Sequence, residues 1–143
     1  MSDLVDISIR GKVNELERHM REMPQIEIPV KHYFSQGLYA REISIPAGAL
    51  ITGKIHKYAQ LNILSKGEML LISDSEVQRV QAPMTVCSPP GTKRAAYAVS
   101  DCVWTTIHAT EETDLEKIEA HFIAKDEAEY VKFIEASQLR LES

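Results

Sequence analysis

The chain has 143 residues, of which 44% are hydrophobic and 26% are charged. This length suits one domain with a single core, and the composition excludes a disordered or fibrous protein. The formal net charge of −5 offers no broad attraction to a phosphate backbone, so we expect no nucleic-acid partner. No apolar run approaches the roughly 20 residues of a membrane-spanning helix, and residues 1–9 lack a signal-peptide pattern. These features predict a cytoplasmic protein without a membrane partner.

The first predicted element is an amphipathic helix that begins near Gly11. Its apolar face consists of residues that recur every three or four positions, namely Val13, Leu16, Met20 and Met23. The helix ends at Pro24, because proline lacks the N–H donor that a continuing helix needs.

Short runs of alternating polar and apolar residues follow, and they predict β-strands. The predicted strands cover residues 25–30, 38–45, 50–57, 61–64, 68–73, 77–80, 84–88, 95–99 and 102–108. Closely spaced strands without helices between them are typical of a sandwich or a barrel. Cys87 and Cys102 have no Cys-x-x-Cys spacing, and within these apolar runs we interpret both as packed free thiols.

The sequence becomes acidic after Thr110. Residues 117–124 alternate enough to predict one more strand, whereas residues 126–136 have helical spacing behind Asp126 as the capping residue. The predicted order is therefore one helix, about nine strands and a second helix.

A set of residues with regular spacing lies within the strand region. Gly48 is followed after five residues by Lys54, then by His56, after three more residues by Gln60, and after another six by Gly67. This spacing resembles the first motif of the cupin family, in which two histidines and a glutamate occupy the three positions between the glycines.

A second spacing begins at Pro83. A turn at Pro89–Gly91 follows, then Arg94 and, four positions later, Ala98. It resembles the second cupin motif, in which a histidine stands at the position of Arg94 and an asparagine at that of Ala98. The phrase Arg-Glu-Ile-Ser-Ile-Pro-Ala-Gly at residues 41–48 is also similar to the family, and the resemblance covers about half of the chain.

The resemblance implies a mainly β fold built as a single cupin barrel, which is a double-stranded β-helix or jelly roll. It assigns residues 1–24 to an N-terminal helix, 25–124 to the barrel, and 125–143 to a C-terminal helix and tail within one structural domain. The layout is also similar to that of small cupin-like proteins encoded by tailed phages. Because edge strands and apolar helix faces stay uncovered in so small a barrel, we expect a homodimer whose contact includes residues 25–30 or a terminal helix.

The resemblance also places four side chains where metal-binding cupins hold their ion. These positions carry Lys54, His56, Gln60 and Arg94. Only the histidine is a usual metal ligand, since protonated lysine and arginine have no lone pair to give. His108 would add a second imidazole if its strand faced the same way, but two ligands rarely hold a metal. We therefore expect no metal and no other cofactor.

The same replacements predict a basic pocket. If the four positions face inward, Lys54, His56 and Arg94 converge beside Gln60, and Arg94 offers a fork of donors for a carboxylate or phosphate. The other predicted ligand-binding residues are Tyr39, Arg41, Tyr58, Tyr97, Trp104 and His108. His56 is the predicted catalytic residue if the protein is an enzyme.

Structural roles compete with these assignments. Lys54 and Arg94 would serve stability alone if they paired with nearby carboxylates, the candidates being Glu42, Glu68 and Asp101. A structural role is also the alternative for Gln60, and Trp104 and the tyrosines would in this interpretation belong to the core or to an interface. We assign no function to three further histidines, His19, His32 and His121, and we interpret the glutamates of residues 111–119 as a solvated acidic face.

Three functions fit the predicted pocket. The first is metal-free binding of an anionic small molecule, nucleotide-like or sugar-phosphate-like, by which a phage protein would sequester a host metabolite. The second is a metal-independent isomerase or epimerase similar to the sugar-nucleotide epimerases among the cupins, with His56 as base, Lys54 stabilising an enolate and Arg94 holding a phosphate. The third is a structural or virion-associated cupin without an active site. We favour the first, because the usual metal ligands are replaced and no carboxylate near His56 in the sequence orients its ring.

Overall fold

The computed structural model describes residues 14, 15, 17, 18, 21, 22, 26–73 and 76–142, with the side chains of residues 140–142 outside the description. Residues 14, 15, 17, 18, 21 and 22 are helical, in agreement with the predicted N-terminal helix. The predicted beginning of that helix, its apolar face and its end at Pro24 lie outside the described residues.

Eleven strands and two further helices make up most of the described chain. The strands are β1 (Val30–Ser35), β2 (Leu38–Ile45), β3 (Leu50–Thr52), β4 (Ile55–His56), β5 (Gln60–Lys66), β6 (Glu68–Ile72), β7 (Val77–Gln81), β8 (Met84–Ser88), β9 (Ala95–Ala98), β10 (Cys102–Ala109) and β11 (Ile123–Ala124). The helices are α1 (Leu115–Phe122) and α2 (Glu127–Glu142).

The longer strands form two antiparallel sheets that pack against each other. One sheet has five strands in the order β1-β2-β10-β5-β8, and the other has four in the order β3-β9-β6-β7. The short strand β4 pairs separately with β11. Strands that follow one another in the chain often lie in different sheets, which is the arrangement of a jelly roll. The predicted mainly β barrel is therefore confirmed.

The core lies between the inner faces of the two sheets. It includes Ile45, Leu64 and Cys102 from the five-stranded sheet and Met69 and Ala98 from the four-stranded sheet, and each of these residues is at most 2% exposed. Inward positions alternate along a strand. The inward-facing residues of the same strands therefore form the core and also line a cavity next to it.

The strand predicted at residues 25–30 is wrong. Residues 26–29 form no strand, and β1 begins only at Val30, directly after Pro29. Proline has no N–H group for a ladder hydrogen bond. The residues of β1 pair instead with β2 across a turn at Gly37, whose φ of 77° suits glycine. Alternation along residues 26–30 could not reveal that the partner strand lies further along the chain.

The strand predicted at residues 117–124 is also wrong over most of its length, because α1 occupies Leu115–Phe122. Asp114 caps the N-terminus of this helix, and the spacing of apolar residues did not indicate the cap. Asp114 Oδ1 accepts hydrogen bonds from two backbone N–H groups of the first turn, at 2.9 and 3.3 Å. Ile118 and Phe122 lie one helical turn apart and are both buried. Their burial against the barrel selects the helix over a strand.

The single strand predicted over residues 50–57 divides into β3 and β4 at Gly53. The Gly53 backbone N–H donates to the Arg94 carbonyl oxygen at 2.7 Å, and a Cβ at Gly53 would lie 3.3 Å from that oxygen. The break sends β3 into the four-stranded sheet and β4 to β11. Lys54 consequently lies in the link between the two strands, and His56 lies on β4.

The C-terminal helix is confirmed, and α2 is longer than predicted because it extends to Glu142. Asp126 Oδ1 accepts from the Glu129 N–H at 2.8 Å, as expected of the capping residue. Val131 and Ile134 on this helix are 50% and 37% exposed, and the homodimer stays a prediction. Among the described helices, none has the length and apolar character needed to cross a membrane.

The two free cysteines have different environments. Cys102 is buried as predicted, whereas Cys87 is exposed, so its interpretation as a packed thiol is wrong. The neighbouring Ser88 faces the interior. Alternation along β8 therefore turns the Cys87 side chain outward.

Candidate functional site

A cavity of about 580 Å³ lies between the two sheets, and α1 contributes to its lining. This volume is within the usual range for pockets that hold small molecules. Eight of the ten predicted ligand-binding residues line it, and they are Tyr39, Arg41, Lys54, His56, Gln60, Arg94, Trp104 and His108. The fold thus brings together residues that the two motifs place about 40 positions apart.

The structure places Tyr58 and Tyr97 outside this cavity, contrary to the prediction. Tyr97 is 39% exposed, because its two neighbours on β9 are buried and alternation turns its ring outward. Tyr58 packs against His121 of α1 and Phe133 of α2, with ring centroids 4.9 and 5.3 Å apart. Tyr58 therefore helps to attach the helices to the barrel.

His56 and His108 stack on each other in the cavity, with ring centroids 5.9 Å apart. Burial is the main cause that lowers the pKa of His56 to about 4, and repulsion from His108 and two arginines adds to it. Burial, followed by repulsion from Arg41, also lowers the pKa of His108 to about 4. Both rings are therefore neutral at pH 7, and each has one donor and one acceptor nitrogen.

Arg94 is held by a chain of hydrogen bonds that passes through Ser88, Asn62 and Thr106. Its Nη1 donates to Ser88 Oγ, and Asn62 Nδ2 donates to the same oxygen at 2.7 Å. Thr106 Oγ1 in turn donates to Asn62 Oδ1 at 2.9 Å. Ser88, Asn62 and Thr106 are all buried. The chain of bonds fixes one edge of the guanidinium, so that Arg94 has a defined position in the cavity.

Lys54 forms an ion pair with Glu119 of α1 at the cavity. The hydrogen bond from Lys54 is the main cause that lowers the pKa of the Glu119 carboxyl. Lys54 therefore pairs with a carboxylate, as the alternative from the sequence stated. The partner is Glu119, which was not among the three predicted candidates. Glu119 is exposed, as expected of a residue on a solvated acidic face, but its carboxylate is also paired with Lys54.

His32 lines the cavity, although the sequence indicated no function for it. Its Nδ1 lies 2.7 Å from the Tyr39 hydroxyl, and the Tyr39 ring stacks on His108 with centroids 6.1 Å apart. Burial raises the pKa of Tyr39. His32 is the Cα partner of Arg41 in the β1–β2 ladder. A correct prediction of β1 would therefore have paired His32 with Arg41 and indicated that His32 lines the cavity.

The cavity is apolar at one end and polar at the other. Along β2 and β10, the cross-strand pair Ile43–Trp104 is followed by Arg41–Thr106 and then by Tyr39–His108. The first pair packs in the core cluster and belongs to the apolar end. Three further members of this cluster line the cavity at the same end, namely Ile45, Met69 and Leu71. A ligand in this cavity would contact apolar side chains at one end and charged or polar side chains at the other.

Two buried side-chain atoms among the described residues have no hydrogen-bond partner, and both belong to the cavity lining. They are Nδ1 of His56 and Oε1 of Gln60, a residue that is 9% exposed. Buried polar atoms are normally paired, and an unpaired one costs roughly 1–3 kcal/mol. The polar end therefore presents groups that a ligand can satisfy.

The resemblance of the two motifs places Lys54, His56, Gln60 and Arg94 at metal-ligand positions, and two of these side chains do not suit a cation. Lys54 and Arg94 are themselves positive and would repel a divalent ion at close range. Among the described residues, no three His, Cys, Asp or Glu side chains are grouped as a metal site requires. His56 and Gln60 alone make a poor ligand set for iron, manganese, nickel or zinc.

Protein purified without a chelator should contain far less than one metal ion per chain, because Lys54 and Arg94 replace two ligands with cations. Elemental analysis for iron, manganese, nickel and zinc measures the content. A second sample, incubated with each metal and then desalted, controls for loss during purification. One ion retained per chain in either sample would overturn the metal-free site.

Stability should decrease as the pH is lowered from about 6.5 to about 4. Histidines in the unfolded chain take up protons near pH 6.5, whereas burial keeps His56 and His108 neutral in the folded state down to about pH 4. Within this window the unfolded state binds more protons and is favoured. Urea unfolding at pH 7 and pH 5 should show a smaller loss in the double variant His56→Asn, His108→Asn than in the parent. Equal losses in both proteins would contradict the assignment.

Comparison with known proteins identifies the fold. No family model and no curated protein match the sequence. KdgF from Halomonas sp. is similar in structure, with a TM-score of 0.53 and 17% identity over 65% of this chain and 90% of that chain. A cupin superfamily protein from Desulfitobacterium hafniense gives a TM-score of 0.51 and 11% identity over 61% and 81% of the two chains.

An RmlC-like cupin from Shewanella frigidimarina is also similar, with a TM-score of 0.50 and 19% identity over 64% of this chain and 89% of that chain. Likeness at these identities establishes the fold and no particular activity. The predicted phage origin stays a prediction. The two antiparallel sheets, the spacing of the turn glycines and these structural matches together show that the chain has the cupin fold.

Proposed function

We propose that the protein binds an anionic small molecule in the barrel without a metal ion. The observation that carries this proposal is the position of Arg94, which lines the cavity and whose guanidinium donates a hydrogen bond to the buried Ser88 Oγ. A forked guanidinium in a partly buried site is well suited to a carboxylate or phosphate. Nucleotide-like and sugar-phosphate-like anions are the classes to test first.

The charges around the cavity favour an anion over a cation. Glu119 is paired with Lys54, while Arg41 and Arg94 line the same cavity as two neutral histidines. Because a charge interaction is stronger in a partly desolvated site than in water, the arginines would attract an acid group there. The neutral rings add hydrogen-bonding capacity without adding charge.

A metal-independent isomerase or epimerase is the second candidate, and the buried, unpartnered Nδ1 of His56 favours it because this atom can take up a proton. A pKa of about 4 makes His56 a weak base at neutral pH. A carboxylate of the cavity lining that could orient the His56 ring, Glu119, is paired with Lys54 instead. Binding without turnover is therefore the better-supported function.

Native mass spectrometry of freshly purified protein tests the proposal. We expect a species heavier than the chain, and we expect denaturation to release a molecule that is detected as a negative ion. The same sample is titrated with adenosine monophosphate and with glucose 6-phosphate by calorimetry, in case the ligand is lost on purification. If no mass is added and neither these two phosphates nor the aromatic carboxylate 3-phenyllactate binds, the proposal is overturned and a barrel without a site becomes the better interpretation.

A further inference from the structure

We infer that the ligand is an apolar acid that carries an O–H or N–H donor next to its acid group, such as an aryl 2-hydroxy acid. This inference rests on the proposed function and narrows it, because a simple sugar phosphate has no apolar body. Three features of the cavity support it, namely the apolar end, a buried acceptor and the position of that acceptor beside Arg94.

The apolar end requires an apolar group. Ile43, Ile45, Met69 and Leu71 belong to the core cluster, Trp104 packs against it, and all five line the cavity. Placing ligand hydroxyls against such a wall would leave them without hydrogen-bond partners, at a substantial cost. A ring or branched alkyl group fits this surface and gains from its burial.

The length of the cavity allows one molecule to reach both ends. Trp104 and His108 are both on β10, four residues apart, and both line the cavity. A strand rises about 3.3 Å per residue, so the two positions are separated by roughly 13 Å. A compact aryl acid spans most of this distance, and an inorganic anion does not.

The buried acceptor requires a donor on the ligand. Gln60 Oε1 has no hydrogen-bond partner, and a carbonyl oxygen can only accept. A carboxylate or phosphate oxygen therefore cannot satisfy it, whereas an O–H or N–H group can. The unpartnered Nδ1 of His56 lies in the same cavity and offers a second contact for a polar group.

The acceptor and the cation are neighbours. Gln60 is the Cα partner of Ser88 in the β5–β8 ladder, and Ser88 Oγ accepts the hydrogen bond from Arg94. A ligand whose acid group meets Arg94 therefore has its adjacent atoms close to Gln60. This arrangement fits a donor on the carbon next to the acid group.

Four small probes separate the three requirements. 3-Phenyllactate has the acid, the adjacent hydroxyl and the ring. 3-Phenylpropionate lacks the hydroxyl, lactate lacks the ring, and 1-phenyl-2-propanol has a methyl group in place of the acid. Calorimetric titration of the full chain should give 3-phenyllactate a Kd lower than that of each other probe by roughly tenfold or more, since each probe loses one favourable contact.

A variant of Gln60 tests whether its amide oxygen causes the preference for the ligand hydroxyl. Gln60→Met keeps the side-chain length and removes the amide oxygen, so it should reduce the preference for 3-phenyllactate over 3-phenylpropionate to about one. Gln78→Met is the matched control, because Gln78 is exposed on β7, and it should keep the parent preference. A thermal unfolding curve for each variant shows whether the barrel is intact.

The outcomes distinguish this inference from the proposed function. If glucose 6-phosphate or lactate binds as tightly as 3-phenyllactate, the apolar-acid inference is overturned and anion binding stands. If 1-phenyl-2-propanol binds as tightly as 3-phenyllactate, anion binding itself is overturned. If Gln60→Met keeps the preference for the hydroxyl, the assignment of Gln60 as the acceptor is overturned. If none of the probes binds, the inference fails.

Discussion

Replacing Arg94 with alanine should abolish binding of the anion and leave the barrel folded. Arg94 lines the cavity, and its guanidinium donates to Ser88 Oγ. Losing a charge-assisted contact in a desolvated site costs roughly 2–5 kcal/mol of binding free energy. Ser88 keeps its hydrogen bond from Asn62 in the variant. Calorimetric titration of parent and variant with the same anion measures the loss, and circular dichroism shows whether the fold persists.

Arg79→Ala is the matched control for this prediction. Arg79 Nε and Nη2 each donate to a Glu68 carboxylate oxygen at 2.9 Å, in an exposed ion pair outside the cavity. The control removes the same charge from the chain without removing a cavity contact, so the Kd should stay at the parent value. An Arg94→Ala variant that binds the anion as tightly as the parent would place the binding site elsewhere.

Replacing Gly67 with alanine should destabilise the fold strongly. Gly67 joins β5 to β6 with a φ of 92°, which side chains rarely adopt. A Cβ there would collide with the Asp101 carbonyl group and would lie 2.7 Å from Cys102 Sγ. Backbone cannot move aside as a flexible side chain can, so we expect a loss of roughly 3 kcal/mol or more in the free energy of unfolding. Urea unfolding measures it.

Gly48→Ala separates backbone strain from the collision. Gly48 has a similar φ of 85°, but a Cβ at this position would meet nothing within 4 Å. Its substitution should therefore cost only the strain of the left-handed conformation, about 1–2 kcal/mol. If the two variants lose equal stability, the close approach of Gly67 to β10 is not what requires glycine there.

The two motif glycines show why the fold could be predicted from the sequence. Turns need positive φ at particular positions, and glycine supplies it, so the spacing from Gly48 to Gly67 records the lengths of the strands between turns. The motif resemblance placed His56 and Gln60 at candidate binding positions, and both line the cavity. These signals are local, and a single sequence contains them.

Alternation failed where a segment was short or its partner was distant. Residues 117–124 fit a strand and a helix about equally well, and burial of Ile118 and Phe122 against the barrel decided for the helix. Residues 26–30 alternate, yet pairing with β2 begins only at Val30. In both cases the deciding contact is with a residue far away in the chain.

The sequence by itself determined the barrel class and most of its strands. It also placed Lys54, Gln60 and Arg94 at positions where the cupin motifs, which it resembles, have metal ligands. The tertiary structure alone decided that Glu119 reaches Lys54 and that the cavity has an apolar and a polar end. It also decided that burial keeps two stacked histidines neutral. The physical reason is that burial, ion pairing and pKa depend on which distant segments pack together, whereas turn chemistry and strand periodicity depend on neighbours in the chain.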